Sequence, residues 1–389
     1  MKGRILFVDD DPNVLNGLKR LFRPMRKEWE MEFAQSGEKA LDIFSSRIFD
    51  VVVTDIQMPG MDGVELLTKI REIHPETLRI VLSGQASHNL ILKSVKVSHQ
   101  FLSKPCDTEN LKHTINCAIS LSRLVSGMER IPSLPSIYEE IVKALESDDV
   151  SIQLVGSIIS KDVGMSAKIL HLVNSAFFGL RSKVANPADA TAILGLDTIK
   201  SLVLSIQVFS QFENNTEIPK SFINGIQDHC MITGVLAKKI TLLQTGKKDM
   251  GEYAFTAGLL HDLGKLILLS NFPDKYAKAI QLQKENDEIT SLYNSEQRVF
   301  NTTHAEVGGY VLGLWGLPSS VVEAIQAHHT PAASLDKNFS PISAVHIANA
   351  IVNMKSLESA KPDEFDLEYV TNMKLVDKIQ EWRSILNNI

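Results

Sequence analysis

The chain has 389 residues, of which 44% are hydrophobic and 22% charged, with a formal net charge of −6. At about 150 residues per domain this length predicts two or three domains, and the lack of any apolar run near ~20 residues predicts no membrane span. The net negative charge and the lack of a basic stripe disfavour DNA binding through phosphate neutralisation. The three cysteines are scattered along the chain and suggest neither a disulfide framework nor a zinc knuckle.

The first 125 residues alternate short apolar runs with amphipathic stretches, which predicts a parallel β-sheet with helices on both faces. The predicted strands are residues 4–10, 31–36, 50–56, 78–84 and 100–105. Since the opening "MKGRILFVDDDPN" runs from a short apolar segment directly into acids, we interpret it as a buried strand and not as a signal peptide. We therefore expect a cytoplasmic protein.

From about residue 130 the strand pattern disappears. Segments such as "IYEEIVKALES" and "TIKSLVLSIQVFSQF" carry apolar residues at helical spacing, which predicts an all-α second part. A helix that begins after Asp107 and ends at Gly127, followed by Pro132 and Pro135, indicates the junction. The predicted organisation is an α/β domain at 1–126, a linker at 127–131, an all-α domain at 132–340 and a helical extension at 341–389.

The helix before the junction carries a mostly apolar stripe of five residues, which are Leu111, Ile115, Ala118, Ser122 and Val125. Such a stripe is buried either within the chain or against a second copy. The sequence therefore leaves open a homodimer that pairs through this helix.

Functional side chains follow the predicted strands of the first domain at their carboxyl ends, where open α/β sheets bind ligands. They are Asp9, Asp10, Asp55, Ser83 and Lys104. Three neighbouring carboxylates repel each other unless a hard cation such as Mg²⁺ lies among them. With Mg²⁺, an aspartate can act as nucleophile on a phosphoryl donor, while a hydroxyl and an ammonium hold the phosphoryl oxygens. The alternative is that these acids are solvated or cap helices.

The stretches "FVDDDP", "VVVTDIQMPGMDG", "IVLSG" and "FLSKP" resemble the receiver domain of bacterial response regulators. The resemblance implies a flavodoxin-like, doubly wound, parallel five-stranded fold, and a sensor histidine kinase as partner. It also implies that Asp55 is the phosphoacceptor and that Mg²⁺ is bound by Asp9, Asp10, Asp55 and the carbonyl of Gln57. The phosphoryl group would be contacted by Ser83 and Lys104, and Phe101 would be the switch aromatic. Access of water to the aspartyl phosphate would be influenced by Gln57 and Gln85.

The second part resembles the HDOD domain, an output module related to the HD hydrolases. "NSAFFG", "AILGLDTIKSLVL" and "LLHDLGKLIL" carry the resemblance. It implies an all-helical, HD-like fold.

Five histidines and one aspartate of this part suit a transition metal: His229, His261, Asp262, His304, His328 and His329. The alternative is a metal-free polar cluster. Compared with the HD-GYP phosphodiesterases, the chain keeps these residues and Lys265, but it has Gly225 and Asn349 where those enzymes carry carboxylates. It also lacks their Gly-Tyr-Pro loop after "HH".

The sequence therefore predicts a response regulator whose output domain is catalytically inactive and contacts a protein partner, with a metal in that domain possible but not expected. Two alternatives stay open: a metal-dependent cyclic-dinucleotide phosphodiesterase, and a nucleotide-binding sensor without catalysis.

Overall fold

The computed structural model describes residues 2–83, 98–104, 108–147, 151–180, 182–285, 291–334, 338–356 and 365–386. The chain divides into two compact units, residues 1–128 with 300–302, and residues 129–299 with 303–389. None of the described helices is both long and apolar enough to cross a membrane.

The first unit contains a parallel sheet, as predicted. Its strands are β1 (Gly3–Val8), β2 (Trp29–Ala34), β3 (Val51–Thr54), β4 (Leu78–Ser83) and β5 (Gln100–Ser103). The order across the sheet is β2-β1-β3-β4-β5, with every neighbouring pair parallel, which is the order of flavodoxin-like folds. Strands β1 and β3 end earlier than predicted, so the acids lie just after the strands.

Four described helices accompany this sheet: α1 (Pro12–Leu21), α2 (Gly37–Ser46), α3 (Gly63–Ile73) and α4 (Thr108–Ser126). Side chains from α2 and α3, including Phe44 and Leu66, form one core with the central strands. The predicted helix at 89–95 lies outside the described residues.

The apolar stripe of α4 is buried in the single chain. Each of its five side chains is less than one-tenth exposed. This burial agrees with packing of the stripe within the chain, and the pairing of two chains stays a prediction.

The second unit is helical, as predicted. Its α-helices within the described ranges are α5 (Ser136–Leu145), α6 (Ile152–Ser160), α7 (Val163–Val173), α8 (Pro187–Leu194), α9 (Leu196–Ser210), α10 (Lys220–Thr245), α11 (Lys248–Leu260), α12 (Leu263–Asn271), α13 (Pro273–Glu285), α14 (Leu292–Phe300), α15 (His304–Leu314), α16 (Ser319–Ala327), α17 (Pro341–Ser356), α18 (Leu367–Asn372) and α19 (Ile379–Leu386).

Helix α17 belongs to the centre of this unit and not to a separate extension. It packs against α10, α11 and α16, and Ile342, Val345 and Ile347 are buried. The apolar face of α17 thus completes the helical core, and the domain boundary at residue 340 stays a prediction.

Glycine at position 63 is required by the loop that carries Asp55. The Gly63 amide donates to the carbonyl oxygen of Ile56 at 2.8 Å, and a Cβ at Gly63 would overlap the carbonyl oxygen of Asp55. Backbone atoms cannot swing aside as a flexible side chain can, so this loop is held against the start of α3.

We predict that Gly63→Ala lowers the free energy of unfolding by about 1–3 kcal/mol, as expected for overpacking. Gly17→Ala is the matched control, since nothing lies within 4 Å of its Cβ position and alanine favours a helix interior by about 0.5–1 kcal/mol. Urea-induced unfolding of both variants measures the difference. Equal stability of the two variants would show that the loop tolerates a side chain at position 63.

Candidate functional site

Strand pairing brings the acids of the first unit together. Val8 pairs with Thr54 across β1 and β3, and the Asp55 amide donates to the carbonyl oxygen of Val8 at 3.0 Å. The next residue of each strand, Asp9 and Asp55, therefore lie side by side. Asp9 is buried, Asp55 is part-buried and Asp10 is exposed.

Lys104, which follows β5, bridges these two carboxylates. Its Nζ lies 2.6 Å from Asp9 Oδ2 and 2.7 Å from Asp55 Oδ2. The other oxygens accept backbone hydrogen bonds, Asp9 Oδ1 from Asp11 at 3.0 Å and Asp55 Oδ1 from Gln57 at 3.2 Å. The predicted residues Asp9, Asp55 and Lys104 are thus assembled into one site.

The charges of this site are incompletely balanced. Burial raises the pKa of Asp9 despite the hydrogen bond from Lys104. Burial alone would lower the pKa of Lys104, but its bonds to Asp55 and Asp9 outweigh burial and raise it. Asp9, Asp10 and Asp55 carry three negative charges against one ammonium, so a dication held by carboxylate oxygens would neutralise the set. The residues present therefore fit Mg²⁺.

The other predicted residues of this site are only partly described. Ser83 ends β4 and Phe101 lies in β5, which places both on the strands expected, while their side chains lie outside the description. Gln85 lies outside the described residues altogether.

In the second unit, the predicted histidines and Asp262 come together from separate helices. His229 lies within α10, His261 and Asp262 occupy the break between α11 and α12, His304 begins α15, and His328 and His329 follow α16. They form two groups that could hold metal, one of His229, His261 and Asp262 and one of His304, His328 and His329.

Two local features hold His304 beside Asp262. A Cβ at Gly264 would overlap the carbonyl oxygen of His304, so glycine permits the close approach of α12 and α15. Thr303 and Glu306 form a capping box that fixes the start of α15 at His304. The glycine of the "HDLGK" motif, Gly264, thus allows His304 to lie close to Asp262 of the same motif.

The carboxylate of Asp262 has two distinct sides. Its Oδ2 faces Lys265 Nζ at 2.6 Å, His261 Nε2 at 3.5 Å and His229 Nε2 at 3.7 Å. Its Oδ1 faces His304 Nε2 at 3.3 Å and His328 Nε2 at 4.0 Å, yet receives no hydrogen bond. Burial alone would raise the pKa of Asp262, but His261, Lys265 and His304 hold it well below its usual value.

Backbone carbonyls orient two of the imidazoles. His261 Nδ1 donates to Gly258 at 2.8 Å and His328 Nδ1 donates to Ile325 at 2.7 Å. Each ring then presents the lone pair of Nε2 toward the cluster, which is the orientation found for metal ligands. Burial lowers the pKa of His261 to about 4, and burial together with neighbouring histidines lowers the pKa of His328 well below its usual value, so both rings are neutral.

Glu296, in α14, is a site residue that sequence reasoning missed. It is fully buried, and its Oε2 accepts from His304 Nδ1 at 2.6 Å and from the His304 amide at 2.8 Å. Burial alone would lower the pKa of His304, but the nearby carboxylates, Glu296 foremost, raise it. In the sequence, one glutamate in the amphipathic segment "LYNSEQRVF" is indistinguishable from a solvated one.

Two residues at which this chain differs from the HD-GYP enzymes, Asn349 and Gly225, are both described in the structure. Asn349 is buried and its Oδ1 accepts from His229 Nε2 at 2.9 Å, so the aligned position does lie at the cluster. Gly225 offers no side chain, and nothing lies within 4 Å of its Cβ position. Neither position supplies a carboxylate.

Residues 131–331 match the HDOD domain, and residues 5–116 match the response regulator receiver domain. The HDOD match alone covers just over half of the chain.

An uncharacterized protein of Treponema pallidum (strain Nichols) is 28% identical over 265 residues, which are 67% of this chain and 48% of that protein. Transcriptional regulatory protein ZraR of Escherichia coli O157:H7 is 30% identical over 124 residues, 32% of this chain and 28% of that protein. This chain spans about half or less of the length of these curated relatives.

Two solved structures show a similar fold. An HDOD domain protein of unknown function from Geobacter sulfurreducens has a TM-score of 0.57 at 21% identity, with 72% of this chain and 98% of that chain covered. A putative phosphohydrolase from Shewanella amazonensis SB2B has a TM-score of 0.51 at 21% identity, covering 68% of this chain and 93% of that chain. At this identity the likeness concerns the fold alone.

We predict that Glu296→Gln destabilises the protein by about 1–3 kcal/mol, the usual cost of weakening hydrogen bonds to a buried charged group. Glu368→Gln, at an exposed glutamate, is the control and should stay within about 0.5 kcal/mol of the wild type. Urea-induced unfolding measures both. If the two variants were equally stable, the Glu296–His304 contact would carry no net stabilisation.

Proposed function

This chain belongs to the HDOD family and carries a response regulator receiver domain before its HDOD domain, and we propose that a sensor histidine kinase phosphorylates it on Asp55. The observation that carries the proposal is the Lys104 bridge between Asp9 and Asp55 at 2.6 and 2.7 Å. It brings two carboxylates and an ammonium together at one sheet edge, which supports roles as nucleophile for Asp55, as Mg²⁺ ligand for Asp9 and as partner of the phosphoryl oxygens for Lys104.

The proposed step is a phosphoryl transfer between side chains. A carboxylate oxygen of Asp55 forms a bond to phosphorus as the bond from phosphorus to the kinase histidine nitrogen breaks, and that imidazole keeps the electron pair. Bound Mg²⁺, held by Asp9, Asp10 and Asp55, would neutralise charge on the phosphoryl oxygens. The Lys104 ammonium, already at Asp55 Oδ2, would then pair with a phosphoryl oxygen.

The remaining receiver roles are part of the same proposal. The Ser83 hydroxyl donates to the phosphoryl group, Phe101 changes position in response, and the helix α4 leads from this domain into the linker at 127–131. These residues lie on or after strands that end at the same edge of the sheet as Asp55, which supports the assignment.

We propose that the HDOD domain acts by contacting a protein partner and not by turnover. Asn349 and Gly225 stand where the hydrolases of the HD-GYP family carry carboxylates, and Lys265 already occupies Asp262 Oδ2 at 2.6 Å. Loss of anionic ligands weakens both the binding of catalytic ions and the activation of water. The cluster therefore favours a regulatory domain over a cyclic-dinucleotide phosphodiesterase.

We predict that Asp55→Asn abolishes Mg²⁺-dependent labelling by a small-molecule phosphodonor, because an amide is not a nucleophile toward phosphorus at neutral pH. Asp42→Asn, at an exposed aspartate, is the matched control and should label like the wild type. Lys104→Met keeps the nucleophile and should slow labelling by about 10²–10³-fold, as expected for loss of one charge-stabilising donor. Undiminished labelling of Asp55→Asn would contradict the assignment.

A further inference from the structure

The linker that follows the receiver domain is bound by the last residue of α12. Asn271 ends α12, and its Oδ1 accepts from the Glu129 amide at 3.0 Å and from the Arg130 amide at 2.8 Å. Its Nδ2 donates to the carbonyl oxygen of Arg130 at 3.0 Å. Three hydrogen bonds from one side chain thus fix the backbone at residues 129 and 130, and we call this contact the Asn271 clamp.

The clamp uses the whole hydrogen-bonding capacity of its side chain. A side-chain amide offers two N–H donors and one oxygen that accepts twice. The second Nδ2 proton of Asn271 goes to the carbonyl oxygen of Ile267 at 2.9 Å, with Ser270 Oγ at 3.3 Å. Because Ile267 lies one turn earlier in α12, this bond fixes the amide in the orientation that the linker requires. Glu129 and Arg130 are exposed residues, so hydrogen bonds and not burial hold them.

A different helix holds the linker a few residues further on. The Ser133 amide donates to Gln211 Oε1 at 2.9 Å, and Gln211 Nε2 donates to the Ser133 carbonyl oxygen at 2.8 Å. Gln211 directly follows α9, which carries none of the clustered histidines. The chain at Ser133 therefore stays anchored if the Asn271 clamp opens, and the movement is confined to residues 129 and 130.

At its other end the linker starts directly from α4. The Met128 amide donates to the carbonyl oxygen of Val125 at 3.0 Å, so the last helical turn reaches residue 128 and the clamp begins at the next residue. Only three residues lie between Lys104 and Thr108, the first residue of α4. A change at Lys104 that shifts α4 therefore arrives at the clamp.

The clamp and the Asp262–Lys265 pair lie at opposite ends of one short helix. Helix α12 has nine residues, and six of them are buried, so it spans about 13 Å at ~1.5 Å per residue. Gly264, near its start, lies directly against the carbonyl oxygen of His304. Packed helices of this kind slide as rigid bodies. A displacement at Asn271 is therefore passed to Asp262 and its neighbours.

We propose that Asn271 is the positioning residue that couples the receiver domain to the helical unit, an inference that rests on the phosphorylation of Asp55 proposed above. When Lys104 turns from its two carboxylates to the phosphoryl group, α4 shifts and the amides of residues 129 and 130 leave Asn271. N–H···O bonds span about 2.7–3.2 Å, so a shift of about 1 Å opens the clamp. Helix α12 is then released from the linker.

The first test is cleavage of the full chain by trypsin after Arg130, which lies inside the clamp. Cleavage at such a site tracks the population of the open form. Asn271→Ala should raise the rate about 10-fold, because the three linker hydrogen bonds are lost. Asn372→Ala, at an exposed asparagine that also ends a helix, is the matched control and should be cut at the wild-type rate. Circular dichroism confirms that both variants are folded.

The second test adds a small-molecule phosphodonor with Mg²⁺, with intact mass as the measure of phosphorylation. Phosphorylated wild type should be cut after Arg130 at a rate close to that of Asn271→Ala, while the rate of the variant itself should not change. Hydrogen–deuterium exchange of residues 263–271 should change on phosphorylation of the wild type and stay constant in Asn271→Ala. A purely structural role of Asn271 would not produce this dependence on phosphorylation.

The mass measurement separates two kinds of failure. A wild type that takes up no phosphoryl group would contradict the proposed function, and the coupling with it. With a phosphorylated wild type, three results would overturn the coupling alone: cleavage after Arg130 that does not increase, equal cleavage of unphosphorylated wild type and Asn271→Ala, or an exchange change in α12 of the variant as large as that in the wild type. The first of these is decided by the wild type without any variant.

Discussion

A buried aspartate paired with a lysine ammonium organises each of the two sites. Asp9 and Asp55 share Lys104 in the α/β unit, and Asp262 holds Lys265 in the helical unit. A carboxylate that leaves water needs a partner charge of good geometry, and removal of that partner is strongly destabilising. In the first site two carboxylates share one ammonium, so the pair keeps a net negative charge that a dication would neutralise. In the second, Asp262 Oδ2 pairs with Lys265, while Asp262 Oδ1 receives no hydrogen bond.

The acids of the first unit were predictable because a parallel sheet gives each strand end a fixed place. Asp9 and Asp55 each follow a buried apolar run, and the pairing of Val8 with Thr54 makes them neighbours. The helical site was predictable only as a set of residue types. "LLHDLGKLIL" reads as one apolar helix, yet the chain breaks at His261 and Asp262, so that Asp262 immediately precedes α12. Glu296 could not be identified, since only the packing of α14 beside His304 distinguishes it from a surface glutamate.

The helical domain keeps the histidines that it shares with the HD-GYP enzymes, but it has Gly225 and Asn349 where those enzymes carry carboxylates. Asn349 binds His229 and contributes no charge, while Lys265 pairs with Asp262 Oδ2 at 2.6 Å. In the proposed function, the helical domain contacts a protein partner and the receiver domain controls that contact.

The central claim is that phosphorylation at Asp55 alters the helical unit. Hydrogen–deuterium exchange of the full chain, with and without a small-molecule phosphodonor and Mg²⁺, tests it most directly. The account predicts that phosphorylation changes amide exchange rates in peptides within 129–386 of the wild type, and leaves them unchanged in Asp55→Asn. Exchange that changes only within residues 1–128 of a fully phosphorylated wild type would contradict it.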